Sequence, residues 1–125
     1  MPLLVGTVRP DGSTRMLAMP DDDLYRLNNY LGAVSLDASG RLICATSPRG
    51  EMAALWDRIS GKYLGLAPLP DGYGIAPASE AGTFVLSSGN AGVRVARADR
   101  RELRRLGGSD LDRYMWDNHI KVISV

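Results

Sequence analysis

The sequence is poor in the residues that build most catalytic and metal centres. Its 125 residues include one cysteine, one histidine and one phenylalanine, and aromatic residues make up only 6%. A single cysteine excludes an intrachain disulfide and a zinc site made of cysteines. Cys44 lies within the apolar run 42–45, where we expect a small buried hydrophobic side chain rather than a reactive thiol.

Strong net charge and long apolar runs are also missing. The 15 basic and 14 acidic residues leave a formal net charge of +1, so no overall field attracts nucleic acid or an anionic membrane. No apolar run approaches the roughly 20 residues of a membrane-spanning helix. The first residues lack the basic and apolar regions of a signal peptide and resemble the middle of a strand. We therefore expect the chain to begin inside a longer gene product.

Glycine and proline, in contrast, are plentiful. The 14 glycines and 7 prolines are spread along the chain, which favours many short elements separated by turns. Residues 39–50 resemble residues 81–92, so that Gly40 matches Gly82 and Gly50 matches Gly92, both 42 residues apart. A repeat of roughly 40–45 residues with about four strands per unit is the period of a β-propeller blade.

The repeat predicts an all-β fold, part of a β-propeller with about two four-stranded antiparallel blades plus flanking strands. We expect a partial blade over residues 1–20, blades over 31–70 and 73–106, and a closing strand over 119–125. No window keeps the helical spacing of apolar residues over three turns, although residues 24–27 and 99–106 each allow one helical turn. A small β-sandwich that uses the same strands is the alternative.

The strongest cluster of polar chemistry is Trp116, Asp117, Asn118 and His119. A carboxylate, an amide and an imidazole side by side are candidates for ligand binding at the centre of a propeller. The competing interpretation is a turn beside a tryptophan, because Asp and Asn favour turns and one histidine needs distant carboxylates to hold a metal. From these motifs we predict no catalytic residues, no metal site and no cofactor.

Three other patterns are interpreted as structural. Trp56 and Asp57 resemble the ending of a WD40 repeat, and we expect the Asp to accept hydrogen bonds in a turn. The acidic trio at residues 21–23 is expected to be a solvated loop, since no glutamate follows at the spacing of a calcium-binding loop. A solvated face is also expected for the arginine run, which has interleaved acids and no aromatics: Arg94, Arg97, Arg100, Arg101, Arg104 and Arg105.

From Tyr30 onward the pattern resembles a bacterial family, domain of unknown function 1513. The resemblance is carried by residues 31–37, 46–50 and 87–89 and, most specifically, by residues 116–119. It implies a propeller several times longer than this chain, exported to the periplasm by a twin-arginine signal and often encoded near imelysin-like iron-uptake proteins. A periplasmic role linked to iron acquisition is therefore implied, without an established activity.

These observations favour a non-catalytic binding or scaffold module, a fragment of a periplasmic propeller. Its expected partners are the remaining blades, a second copy of the chain, or periplasmic iron-uptake proteins, and neither nucleic acid nor a membrane span is expected. The alternative is an enzyme whose site on one propeller face uses Asp117 and His119. Because a closed propeller needs at least about four blades, we expect self-association or marginal stability, with the terminal strand at the contact.

Overall fold

The chain forms ten short strands and two short helices in the part that the structure, a computed structural model, describes, which is residues 2–100, 103–116 and 119–123. The helices are brief, so strands dominate. In chain order the elements are β1 (Gly6–Val8), β2 (Thr14–Met16), α1 (Asp21–Arg26), β3 (Ala33–Leu36), β4 (Leu42–Ser47), β5 (Met52–Asp57), β6 (Tyr63–Pro68), β7 (Gly72–Pro77), β8 (Thr83–Ser88), β9 (Gly92–Arg97), β10 (Arg104–Arg105) and α2 (Ser109–Asp112).

Two four-stranded antiparallel sheets make up most of the molecule. Strands β3 to β6 form the first sheet and β7 to β10 form the second, with the strands side by side in chain order in each. Strands β1 and β2 form a separate antiparallel hairpin. Each sheet is therefore a meander closed by short turns, and the prediction of an all-β fold with four-stranded antiparallel blades is confirmed.

The two apolar cores lie on opposite faces of the first sheet. One fills the space between the two sheets and contains Cys44, Ala53, Leu69, Ile75, Phe84, Leu86 and Ala96. The other lies between the first sheet, the β1–β2 hairpin and α1, and contains Val5, Leu17, Leu24, Leu27, Ile43, Ala45, Met52, Ala54 and Trp56. Because the first sheet is covered on both faces, the layers stack as blades do and not as a two-sheet sandwich.

The sequence repeat holds in the structure with a changed register. Gly40 and Gly82 both adopt positive φ, 71° and 78°, in the turns that precede β4 and β8. This conformation favours glycine because it has no Cβ. Strand β8, however, begins directly after Gly82, whereas Arg41 separates Gly40 from β4. The second unit is therefore one residue shorter at this point.

The match between Gly50 and Gly92 is consequently wrong. The positive φ of Gly92, 71°, recurs at Glu51 with 53°, which is 41 residues earlier. Hydroxyl groups keep the same spacing, because Ser47 Oγ accepts from the backbone N–H at position i+3 and Ser88 Oγ does the same. The hairpins that follow β4 and β8 are thus equivalent at a spacing of 41 residues, not 42.

Helix α1 replaces the solvated loop expected at residues 21–23. Asp21, Asp22 and Asp23 occupy its first turn, where the helix dipole stabilises carboxylates. Leu24 and Leu27 are buried beneath the first sheet. Burial of these two leucines supplies the stabilisation that so short a helix lacks on its own.

The predicted closing strand at 119–125 is wrong for the residues that the structure describes. Residues 119–123 lie outside any strand, while residues 124 and 125 fall outside the described part. Alternating apolar residues form a strand only when another strand offers its backbone for pairing. Val122 and Ile123 are instead 44% and 69% exposed.

The fourth strand of the second sheet is also shorter than expected. Strand β10 spans only Arg104–Arg105, against a prediction of 102–106, of which residue 102 lies outside the described part. Of the four residues expected to be buried between the sheets, Cys44, Phe84 and Leu86 are buried and Leu42 is only half-buried.

Candidate functional site

The sequence cluster at residues 116–119 is only partly described. Trp116 is half-buried and its Nε1–H donates to the backbone carbonyl of Leu111 at 2.8 Å. Its ring meets the ring of Tyr114 edge-on, with 5.7 Å between the ring centroids. Asp117 and Asn118 fall outside the described residues. Trp116 therefore has its polar atom engaged in a local turn, as the structural interpretation of this cluster expected.

His119 is exposed and lies beside a shallow groove formed with Ile75, Ile120 and Lys121. No group of three His, Cys, Asp or Glu side chains in the described ranges is placed to hold a metal ion. The predicted ligand-binding cluster is thus represented by an anchored tryptophan and a separate, solvated imidazole.

The carboxylate with the largest change in its chemistry is Asp37, which lies in the turn before β4. Burial raises its pKa, but hydrogen bonds from the Leu42 N–H, the Ser39 hydroxyl and the Gly82 N–H outweigh burial and lower the pKa to about 2. An anion that is satisfied in this way by a turn and by the neighbouring sheet is not available as a general acid or base at neutral pH.

Asp57 has a similar role at the end of β5. Its Oδ1 accepts from the N–H groups of Ile59 and Ser60, at 2.9 and 3.0 Å. The Ser60 N–H, together with the guanidinium of Arg41, lowers the pKa of Asp57. Trp56 beside it is buried and donates to the carbonyl of Ala18 at 3.0 Å. The structural interpretation of the Trp56–Asp57 pair is confirmed.

Cys44 lies in the core between the two sheets and is fully buried. Burial in apolar surroundings raises the pKa of its thiol far above the ordinary value. A thiol that cannot ionise is a poor nucleophile and a poor metal ligand. The expectation that Cys44 is a structural residue is confirmed.

The arginine run forms an exposed surface on the second sheet. Arg97, Arg100 and Arg104 are exposed and line a shallow cavity of about 310 Å³ together with Glu80. Arg97 also forms an exposed ion pair with Asp99. These side chains have the solvated character that the interleaved acids predicted.

A larger groove, which sequence reasoning missed, runs along β1. Its volume is about 630 Å³, and it lies between five consecutive residues of the hairpin, 5–9, and the strand β3. Apolar side chains line it and arginines stand at its rim: Val5, Val8, Val34, Leu36, Ile43 and Ile59, with Arg9, Arg15 and Arg58. We call this the β1 groove.

Strand β3 contributes the exposed apolar wall of the β1 groove. Val34 and Leu36 pair with Ala45 and Ile43, which belong to the core under the hairpin, so all four face the same side of the first sheet. The hairpin does not reach Val34 and Leu36, which are 61% and 43% exposed. The alternation of Val34, Ser35 and Leu36 is a signal of this apolar face, but only the structure reveals that it is left uncovered.

Comparisons with known proteins agree with this architecture. A family model described as "Protein of unknown function (DUF1513)" matches residues 1–123. A search of curated proteins found no match. Among solved structures, hydrazine synthase of Kuenenia stuttgartiensis is similar in fold, with a TM-score of 0.61 and 12% identity, over 74% of this chain.

The matched region is a minor part of the solved structure, since this chain spans 26% of that chain. At this level of identity the likeness concerns the fold alone. Within the described residues, no helix is long and apolar enough to cross a membrane.

Proposed function

The chain belongs to the DUF1513 family, whose function is unknown, and we propose that it acts as a non-catalytic binding or scaffold module of a β-propeller. The observation that carries the proposal is the β1 groove. It combines a free strand edge with accessible apolar side chains, and such surfaces in folded proteins serve as contact sites for other chains or ligands.

The chemistry of the described side chains supports binding over catalysis. Asp37 and Asp57 spend their charge on turn N–H groups, and the thiol of Cys44 is buried without access to solvent. Catalytic sites instead gather groups with perturbed pKa values at one cleft. None of these three residues lines the β1 groove.

We further propose that the module works in the periplasm, in association with iron acquisition, and that its partners are further blades or iron-uptake proteins. This part rests on the family resemblance described above. Cell fractionation of the natural gene product with an epitope tag tests the location, and recovery of the tagged protein in the cytoplasm alone contradicts it.

Binding of the dye ANS tests whether the β1 groove is an accessible apolar site, because ANS fluoresces on exposed apolar surface. We expect the native chain to enhance ANS fluorescence and Val34→Asp to reduce the enhancement. Met115→Asp is the matched control, since Met115 is exposed and does not line the groove. Equal enhancement by both variants would contradict a binding site in the groove.

A metal and activity assay tests the non-catalytic part of the proposal. The purified chain is incubated with Fe³⁺ or Zn²⁺, desalted, analysed for metal, and assayed with ester and phosphate substrates. We expect neither stoichiometric metal nor turnover. A metal that is retained by the wild type and lost in His119→Ala would overturn the proposal and favour the enzyme alternative that uses Asp117 and His119.

A further inference from the structure

We propose that the β1 groove receives residues 119–123 of a second copy of this chain as an added β-strand. We call these residues the terminal segment. The inference rests on the proposed binding role of the groove and names its occupant.

The backbone of β1 has a free edge that faces the groove. The carbonyl of Val5 accepts from Leu17 N–H, and the N–H of Arg9 donates to the carbonyl of Ser13, both at 2.9 Å. In an antiparallel pair, hydrogen-bonded residues alternate with residues whose polar groups point the other way. The N–H and C=O groups of Gly6 and Val8 therefore point away from β2. Among the strands that the structure describes, β1 pairs with β2 alone.

The groove has the dimensions and character of a missing strand. Both complete sheets hold four strands, whereas the hairpin holds two. Five consecutive residues, 5–9, line one side of the groove, and the apolar side chains of Val34 and Leu36 line the other. A strand added at β1 would cover Val34 and Leu36 while pairing with Gly6 and Val8, which combines main-chain bonds with apolar burial.

The terminal segment has the complementary properties. It is five residues long, as is the stretch of β1 that lines the groove, and its apolar residues Ile120 and Val122 alternate with His119 and Lys121. Within the described chain it is in no strand, and Val122 and Ile123 are largely exposed. One chain thus carries both an unpaired strand edge and an unpaired segment with the pattern of a strand.

The contact joins different surfaces of the two copies, so it is heterologous. Such contacts form a ring if the rotation between copies closes and an open chain if it does not. Each copy would offer one groove and one terminal segment. Association should therefore continue beyond a dimer as the protein concentration rises.

Sedimentation velocity over a wide range of concentrations tests the proposal. We expect the sedimentation coefficient of the wild type to increase with concentration. Val8→Pro should abolish the increase, because it removes an N–H on the free edge and leaves the hydrogen bonds to β2 in place. Val122→Asp should abolish it from the other side, and Met115→Asp should leave it unchanged.

Mixing the two inactive variants gives a sharper test. Val8→Pro keeps an intact terminal segment, and Val122→Asp keeps an intact groove, so the mixture retains one working contact. We expect each variant alone to be monomeric and the mixture to stop at a dimer. Circular dichroism melting curves establish that each variant is folded, and Val34→Asp replaces Val8→Pro if the latter is not.

Two results would overturn the proposal. One is association of the wild type that survives both Val8→Pro and Val122→Asp. The other is a wild type that remains monomeric throughout; binding of a synthetic peptide of residues 31–47 to it would then assign the groove to a strand of another sequence. If ANS binding depends on Val34 while the chain stays monomeric, the occupant is wrong and the proposed binding role stands.

Discussion

The carboxylate of Asp37 accepts a hydrogen bond from the backbone N–H of Gly82 across 2.8 Å, and so ties a turn of the first sheet to a turn of the second. The same side chain accepts from the N–H groups of Arg41 and Leu42, at 3.0 and 2.9 Å. Asp37 is only 5% exposed. One buried anion therefore closes its own turn and positions the neighbouring blade.

Replacing Asp37 with Asn should lower the free energy of unfolding at neutral pH by about 2 kcal/mol, because the amide carries no charge and offers only one accepting oxygen. The pKa of Asp37 is lowered from 3.8 to about 2 in the folded chain. Its contribution is therefore present above pH 3.8 and is lost as the pH falls towards 2. Urea unfolding measured between pH 7 and pH 2 should show the wild type and Asp37→Asn converging at the acid end.

Asp99→Asn is the control for this experiment. Asp99 is exposed and pairs with the exposed Arg97, so its removal should change stability little at any pH. A constant difference between wild type and Asp37→Asn down to the lowest pH would contradict the assigned role of the anion.

Phe84→Ala should lower the free energy of unfolding by about 3–5 kcal/mol, the usual cost of a cavity at a buried phenylalanine. Phe84 is fully buried in the core shared by the two sheets, beside Leu86 and Ile75. Met115→Ala, at an exposed side chain, should change stability by less than about 0.5 kcal/mol. Similar unfolding curves for both variants would show that the sheets do not share a packed core.

Ser47→Ala should destabilise the chain by about 1–3 kcal/mol, since buried backbone groups lose their partner. The hydroxyl oxygen lies 2.7 Å from the carbonyl oxygens of Leu27 and Tyr30, and it accepts from the Gly50 N–H. Thermal melting of Ser60→Ala, at an exposed turn serine, is the comparison. If Ser47→Ala melts no lower than Ser60→Ala, the hydroxyl does not support the connection from α1 to the first sheet.

Cys44 should not react with a thiol reagent in the native chain and should react fully once the chain is unfolded. Its burial between the sheets blocks access and keeps the thiol protonated. Release of the chromophore from DTNB, with and without guanidinium, measures both states. Rapid and complete reaction of the native chain would mean that the two sheets separate readily.

Much of the fold follows from local patterns. Strand β5 has the predicted bounds, 52–57, and β8 and β9 lie within one residue of theirs. Short apolar runs between glycine, aspartate and proline turns determine these strands locally, so the sequence alone is sufficient. Asp57 was likewise predictable, because an Asp two residues before a turn serine accepts its N–H groups whatever the surrounding fold.

The candidate site was much less predictable. The cluster at residues 116–119 stands out in the sequence because it is rich in polar chemistry, but the structure engages Trp116 in a local turn and leaves His119 solvated. The β1 groove consists of valine, leucine and isoleucine residues that look like ordinary core. Whether Val34 is core or surface depends on which strands lie above it, and no local pattern records that.

The sequence by itself determined the number and positions of most strands, the four-stranded units and the inert character of Cys44, since these depend on turn chemistry and apolar content. Tertiary structure alone decided the 41-residue register of the hairpins, the formation of α1 and the absence of a strand at 119–123. Each of these depends on non-local contacts, the docking of Leu24 and Leu27 under the first sheet being one example. A strand needs an available neighbour and a short helix needs a surface to bury against, and both are properties of the assembled fold.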